Sequence, residues 1–182
     1  MLSPAPDIEL RPFKDRDAPE LYRRIEANRS YLRKWLPWLD AQRTVENSLD
    51  FIRATGAQND RKEALTLGIW WRRELCGVIS MHRIDWPNRA AMIGYWLSED
   101  HQGKGIMTDS CRALVTYAFT SLRLHRIEIR CATGNSRSQA IAERLGFVKE
   151  AVLRDAEWLY DHFVDLIVYS MLAPHWKELH HL

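Results

Sequence analysis

Residues 90–108 constrain this chain more than any other segment. Ala90–Leu97 (AAMIGYWL) is an apolar run of strand length, rich in aromatic residues. Gly103 and Gly105 follow, two positions apart. From Ile106 onward, Ala113, Leu114, Tyr117 and Ala118 recur at helical spacing. The order is strand, glycine-bearing loop, helix. The glycines let the backbone turn tightly and approach a ligand closely. The amides that open the helix have no intrahelical partner, and the helix dipole is positive there. Such a junction suits a phosphate or pyrophosphate. An ordinary strand-to-helix turn is the alternative from this segment alone. Two common phosphate motifs do not fit. A P-loop needs Ser or Thr after its lysine, and Lys104 is followed by Gly105. The dinucleotide fingerprint needs a third glycine where Thr108 stands.

Elsewhere the chain reads as a mixture of strands and helices. Ile8–Phe13 alternates as a first strand, ended by Pro12. Asp15 or Asp17 is expected to cap a helix to about Asn28, with Leu21, Tyr22 and Ile25 on its apolar side. Tyr31–Leu39 is a short helical piece broken at Pro37. Thr44 with Asn47 begins another helix. Residues 64–71 and 74–84 are strands joined by a tight turn at Arg72-Arg73, and Asp85–Asn88 is a turn by composition. Arg126–Ala132 alternates as a strand. Ser136–Leu145 is a helix stopped by Gly146. Residues 147–153 and 163–172 are the last strands. The expected class is α+β, with a mixed, mostly antiparallel central sheet of about seven strands flanked by helices.

At 182 residues the chain is expected to form one domain spanning residues 1–182. A net charge of +2 gives no warrant for nucleic acid binding. No apolar run approaches the roughly 20 residues needed to span a bilayer, and the N-terminus does not read as a secretory signal. Cys76, Cys111 and Cys131 match neither a metal site nor a disulfide framework. They read as free cytoplasmic thiols. The histidines do not cluster: His82, His101, His125 and His162 read as surface or edge residues. Eight tryptophans are more than a chain of this size usually carries.

Gln102-Gly103-Lys104-Gly105-Ile106-Met107 resembles the coenzyme A loop of the GNAT superfamily of N-acetyltransferases, Gln/Arg-x-x-Gly-x-Gly/Ala. Met107 departs from the last position. Asn135 to Phe147 (NSRSQAIAERLGF) resembles that family's second signature, Asn-x-x-Ser-x-x-x-Ala-x-x-x-Gly-Phe, one helix and one strand further on. The resemblance runs from Ile8 to Tyr169-Ser-Met-Leu. It is closest to the Rim-type N-terminal acetyltransferases of ribosomal proteins.

The resemblance implies direct acetyl transfer from acetyl-CoA to an amine, with no metal. It implies that the pantetheine arm lies beside Trp96 and Leu97 and the pyrophosphate on the amides of Gly103, Lys104, Gly105, Ile106, Met107 and Thr108. The Lys104 side chain would add charge there or stay solvated. Asn135 would contact the pantetheine or cap its helix. Where many relatives carry a tyrosine acid, this chain has Ala142, so Ser138 becomes the expected donor to the leaving thiolate. Glu157, just past a strand end and beside Trp158, is the expected base; Asp155, Glu99 and Asp100 are weaker rivals. Trp35 and Trp38, around Pro37, are the expected acceptor wall, with Arg29, Arg33 and Lys34 near enough to attract an acidic peptide. The implied acceptor is a protein N-terminal α-amine. Alternatives are a small amine such as a polyamine, amino acid or antibiotic, or a non-catalytic CoA-binding protein. Rim-type relatives also imply a homodimer.

Overall fold

The computed structural model describes residues 1–181. Its elements in order are β1 (Leu2–Ala5), β2 (Ile8–Arg11), α1 (Ala18–Ala27), α2 (Arg29–Leu32), α3 (Val45–Asp60), β3 (Leu65–Trp71), β4 (Glu74–Asp85), β5 (Ala90–Leu97), α4 (Ile106–Thr120), β6 (Arg126–Ala132), α5 (Ser136–Arg144), β7 (Val148–Leu159), β8 (His162–Leu172) and α6 (Ala173–His180). The strands form one sheet in the order β1-β2-β3-β4-β5-β6-β8-β7. Only β5 and β6 are parallel, joined by α4 as the crossover that a parallel pair requires. The class is α+β, as the pattern of elements implied.

Local chemistry explains the punctuation. Arg72 and Arg73 both have positive φ, 51° and 72°, which turns β3 tightly into β4. Thr44 and Asn47 cap α3 reciprocally. Helix α5 ends at Gly146 (φ +79°), where Phe147 N–H donates to Ala142 O and Gly146 N–H to Glu143 O. The coil after α2 continues until Leu36 N–H donates to Leu32 O (3.0 Å), and Pro37 has no amide to extend it.

Alternation along the strands splits the core in two. Ala91, Ile93 and Leu97 of β5 pack with α4 in one apolar cluster. Trp96 packs with α1, α2 and α3 in the other. Helices therefore cover both faces of the sheet. Each fully buried side chain of this kind, such as Leu114 or Leu21, contributes roughly 1.5–3 kcal/mol of transfer free energy.

Three local expectations change. An eighth strand, β1, pairs with β2, although Pro4 within it and Pro6 just after it gave no strand pattern. Asp17 does not use its side chain to cap α1. It is held by Arg11 at 2.8 Å and accepts from Lys14 N–H. Strand β7 runs on to Leu159, past a register shift between Leu153 and Glu157. Asp155 sits at that shift with φ 48°, its amide donating to Asp165 Oδ1 (2.9 Å).

Candidate active site

The parallel pairing of β5 with β6 is short. It covers Ala90–Ile93 against Arg126–Ile129 and then stops. Beyond that point β5 pairs only with β4, as far as Leu97 against Gly77. Arg130–Ala132 of β6 pair only with β8. The two strands diverge, and a cleft of about 1300 Å³ opens there. Its lining includes Trp96, Leu97, Gln102, Gly103, Gly105, Ile106, Met107, Thr108, Asn135, Ser138 and Glu157, with Trp35 and Trp38. Of the expected donor-site residues, Lys104 does not line the cleft; nor do the rival bases Asp100 and Asp155, although Glu99 does. The Lys104 ammonium folds back to the Asp100 carbonyl (2.7 Å) and sits 4.9 Å from the Trp71 ring centroid.

The glycine loop has the features of an anion cradle. Gly103 and Gly105 hold φ at +73° and +78°, a region that other L-residues adopt at a cost. Around Gly103 a Cβ would meet nothing within 4 Å, so the backbone faces open space. Gly105 is the N-cap of α4, whose first amides lack intrahelical partners. The side chains of Ile106 and Met107 are buried in the core, so these residues offer the cleft their backbone. Two guanidinium groups of α5 flank the loop: Arg137 donates to Gln102, and Arg144 donates to Thr108 Oγ1 (3.0 Å). This donor set fits the pyrophosphate of a coenzyme A.

On the α4–α5 side of the divergence, Asn135 Oδ1 accepts from Ser138 N–H (3.2 Å) and caps α5. Tyr95 reaches across from β5. Its hydroxyl lies 3.1 Å from Ser138 Oγ and 3.3 Å from the Ser138 carbonyl. Burial pushes the Tyr95 phenol well above the usual tyrosine range, so it stays neutral. Ala142 is fully buried.

The other sheet face carries a second set of groups. Register puts His82 opposite Met92 and Ser80 opposite Gly94. Ser80 Oγ lies 2.8 Å from Thr66 Oγ1. A Cβ on Gly94 would stand 3.1 Å from the His82 ring, so this glycine makes room for the imidazole next to where β5 leaves β6. Following the register through β6 and β8 puts Glu157, opposite Val164, on this same face. Burial holds the Glu157 carboxyl above the ordinary glutamate range and the His82 imidazole below the ordinary histidine range.

Several sequence expectations need correction. His82 is not a surface residue but lines the cleft. His101 is 5% exposed, packed edge-to-face against Trp71 with its Nδ1 at 2.8 Å from Asp100. Glu157 lies within β7 rather than past its end. Trp158 beside it faces the other way, as adjacent strand residues do: it is 51% exposed and stacks edge-on to Phe163. Arg29 and Arg33 are already partnered, by Glu26 with the Leu39 carbonyl and by Asp40 respectively. Arg33 also lies over the Tyr160 ring at 3.8 Å, and the Tyr160 hydroxyl donates to the Leu36 carbonyl. The Trp35–Trp38 segment is thereby clamped to the β7–β8 turn.

Tyr95 and His82 are the residues that sequence reading missed. Alternation put Tyr95 on the same strand face as Ile93 and Leu97, but nothing in the pattern ties it to Ser138, 43 positions away.

The acetyltransferase (GNAT) domain profile matches residues 7–148. The chain belongs to the GNAT acetyltransferases. It is 33% identical to the ribosomal-protein-serine acetyltransferase of Escherichia coli K12 over 165 residues, covering 91% of this chain and 92% of that one. A structure of RimL, a ribosomal L7/L12 α-N-acetyltransferase in complex with coenzyme A, is similar with a TM-score of 0.92 and 29% identity, over 96% of this chain and 99% of that one. So is the microcin C7 self-immunity acetyltransferase MccE, in complex with acetyl-CoA and AMP: TM-score 0.89, 33% identity, 93% and 94% covered. This GNAT enzyme is thus an acetyl-CoA-dependent N-acetyltransferase. Among the described residues no helix is long and apolar enough to cross a membrane, and no group of three or more His, Cys, Asp or Glu side chains is placed to hold a metal ion.

Proposed function

We propose that the enzyme acetylates the N-terminal α-amine of a protein, with ribosomal proteins as the substrate class. The observation that carries this reading is the two-sided cleft. Ser138 stands on one side of the β5–β6 divergence, and the partly buried Glu157 lines the acceptor side. An α-amine has a pKa of about 7.7–8.0, so about one in seven is neutral at pH 7; for a lysine amine near 10.4 it is about one in 2,500. One carboxylate of raised basicity suffices for the first and gives little for the second. The names of the similar proteins point the same way.

In this reading the loop amides of Gly103–Thr108 bind the donor's pyrophosphate. Trp35 and Trp38 wall the acceptor. Glu157, directly or through one water, takes the proton that the amine nitrogen loses as the C–N bond forms. Ser138 donates a hydrogen bond to the sulfur as the C–S bond breaks. Burial pushes the Cys76 thiol up to about 12 and raises Cys111 and Cys131 too, so no thiolate is poised as a nucleophile. That supports direct transfer. Ser138→Ala is expected to lower kcat by about 10–10²-fold, as for loss of a hydrogen bond to a developing charge, with little change in acetyl-CoA affinity. Wild-type turnover in that variant would remove Ser138 from the mechanism.

A second reading, acetylation of a small-molecule amine, is favoured by the likeness to MccE, solved with AMP. Thiol release from acetyl-CoA separates the two. The panel is peptides beginning Ser or Ala with blocked lysines, spermidine, free amino acids and an aminoacyl-nucleotide. The peptides are expected to react fastest; reaction with small amines alone would overturn the N-terminal reading. A cytoplasmic homodimer completes the proposal. Its supports are three unpaired thiols and the exposed aromatic pair of Trp158 and Phe163. Sedimentation should show a dimer, and a concentration-independent monomer would refute it.

A further inference from the structure

We propose that Tyr95 is a positioning residue for the leaving thiolate, acting through Ser138: its phenol donates to Ser138 Oγ and turns the serine hydroxyl proton toward the cleft. This rests on the reading of Ser138 given above.

The geometry limits the choices. Ser138 cannot drift, because its amide is held by Asn135 Oδ1 at 3.2 Å in the first turn of α5. A serine in a helix often donates back to a carbonyl in the preceding turn. Ser138 makes no such bond among the described residues, and its hydroxyl is met by the Tyr95 phenol at 3.1 Å. The Ser138 carbonyl also lies 3.3 Å from that phenol, but it is the longer contact. A phenol has one proton, and a neutral Tyr95 can donate it to Oγ. With one Oγ lone pair so engaged, the serine proton is free for another acceptor.

Cys131 is hydrogen-bonded to the same hydroxyl, but burial keeps its thiol protonated and hence a weak acceptor. A departing thiolate in the cleft is the stronger acceptor for the serine proton. No tyrosine lies on α5 itself (SRSQAIAER), so the phenol that serves this serine comes from β5, across the gap left by β6.

The chemistry balances without a net proton donation by either residue. As the amine nitrogen bonds to the acetyl carbon, the C–S electron pair leaves on sulfur. The proton lost by nitrogen goes to Glu157 or solvent. Ser138 and Tyr95 keep their protons and stabilise the sulfur's charge by a chain of two hydrogen bonds. Full transfer would be uphill, since a thiol has a pKa near 8.5, a phenol near 10, and an aliphatic alcohol is a weaker acid than either. Chained donors polarise one another, so the serine donates better with the phenol behind it than alone.

The test is a double-mutant cycle of wild type, Tyr95→Phe, Ser138→Ala and the double variant, using acetyl-CoA and whichever amine reacts best in the thiol-release panel. Phenylalanine keeps the ring, so packing is retained; circular dichroism melting and CoA calorimetry check it. Tyr95→Phe is expected to lower kcat about tenfold while CoA affinity stays within about twofold, as for loss of one hydrogen bond. In the Ser138→Ala background, Tyr95→Phe should cost almost nothing further. Full activity in Tyr95→Phe would overturn the proposal, as would losses that multiply in the double variant or a parallel loss of CoA affinity. If Ser138→Ala alone retains wild-type turnover, the Ser138 reading fails and this role goes with it. If Ser138→Ala is slow and Tyr95→Phe is not, only the role of Tyr95 fails.

Discussion

Gly105→Val is expected to weaken CoA binding by at least about 10²-fold while the fold stands. A Cβ at this position would meet nothing nearer than Asp109 Oδ2 at 3.8 Å, so the core is not strained by volume. The backbone is the obstacle. Gly105 holds φ at +78° as the N-cap of α4, and a β-branched residue is a genuine outlier there. The cost of the left-handed region is about 1–2 kcal/mol for an L-residue, and the loop can escape it by flipping to negative φ. That flip re-aims the loop amides proposed to hold the pyrophosphate. Each charge-assisted hydrogen bond lost is worth about 1.5–3 kcal/mol, and 1.4 kcal/mol is a factor of ten. Calorimetric titration of CoA into the folded variant checks this. An unchanged Kd would show that the phosphates do not sit on this loop.

Glu157→Gln is expected to change the shape of the pH–rate profile as well as its height. Burial raises the carboxyl's pKa, which makes it a better base than an exposed glutamate and puts its ionisation on the acid limb of kcat/KM. Glutamine keeps the shape and removes the acceptor. The variant should lose about 10²-fold or more near pH 7. It should recover in part as pH rises and solvent itself supplies neutral amine. Recovery should be strong for an α-amine near pKa 8 and poor for a lysine near 10.4. The stability effect has the opposite sign. A carboxyl whose folded pKa is raised holds its proton more tightly folded than unfolded. Its contribution to stability therefore falls as pH rises from the unfolded pKa through the folded one. Above that window the variant should be no less stable than wild type. Identical pH–rate profiles for the two proteins would make Glu157 a bystander.

The fold was legible wherever local chemistry decides. The Arg72-Arg73 turn, the Thr44/Asn47 cap, Gly146 and the strand from Arg126 to Ala132 lie where spacing and turn chemistry place them. Strand β1 was not legible, because two prolines mask a short edge strand that exists only by pairing with β2. The extension of β7 was hidden by its register shift around Asp155, where two extra residues interrupt the pairing and Asp155 leaves the extended region at φ 48°. The one-residue shift between Lys149 and Ala151 is what puts Ala151, Leu153 and Glu157, rather than Trp158, on this cleft face. The same limit applies at the site. The glycine loop and Asn135–Ser138 are contiguous signals that a sequence can carry. Tyr95 against Ser138, His82 against Gly94 and Tyr160 against Leu36 are long-range contacts, fixed by strand order rather than by any local pattern.

The most direct test of the central claim locates the transferred acetyl group. Purified enzyme and acetyl-CoA are incubated at pH 7 with a peptide that has a free N-terminus and blocked lysines, and with its counterpart that has a blocked N-terminus and a free lysine. Tandem mass spectrometry then reads the modified nitrogen. The expected result is acetyl on the α-nitrogen of the first peptide, dependent on active enzyme, with the second essentially unmodified. Acetylation of the lysine peptide alone would contradict the N-terminal reading. No enzyme-dependent acetyl on either peptide, with turnover on small amines, would move the acceptor to that class.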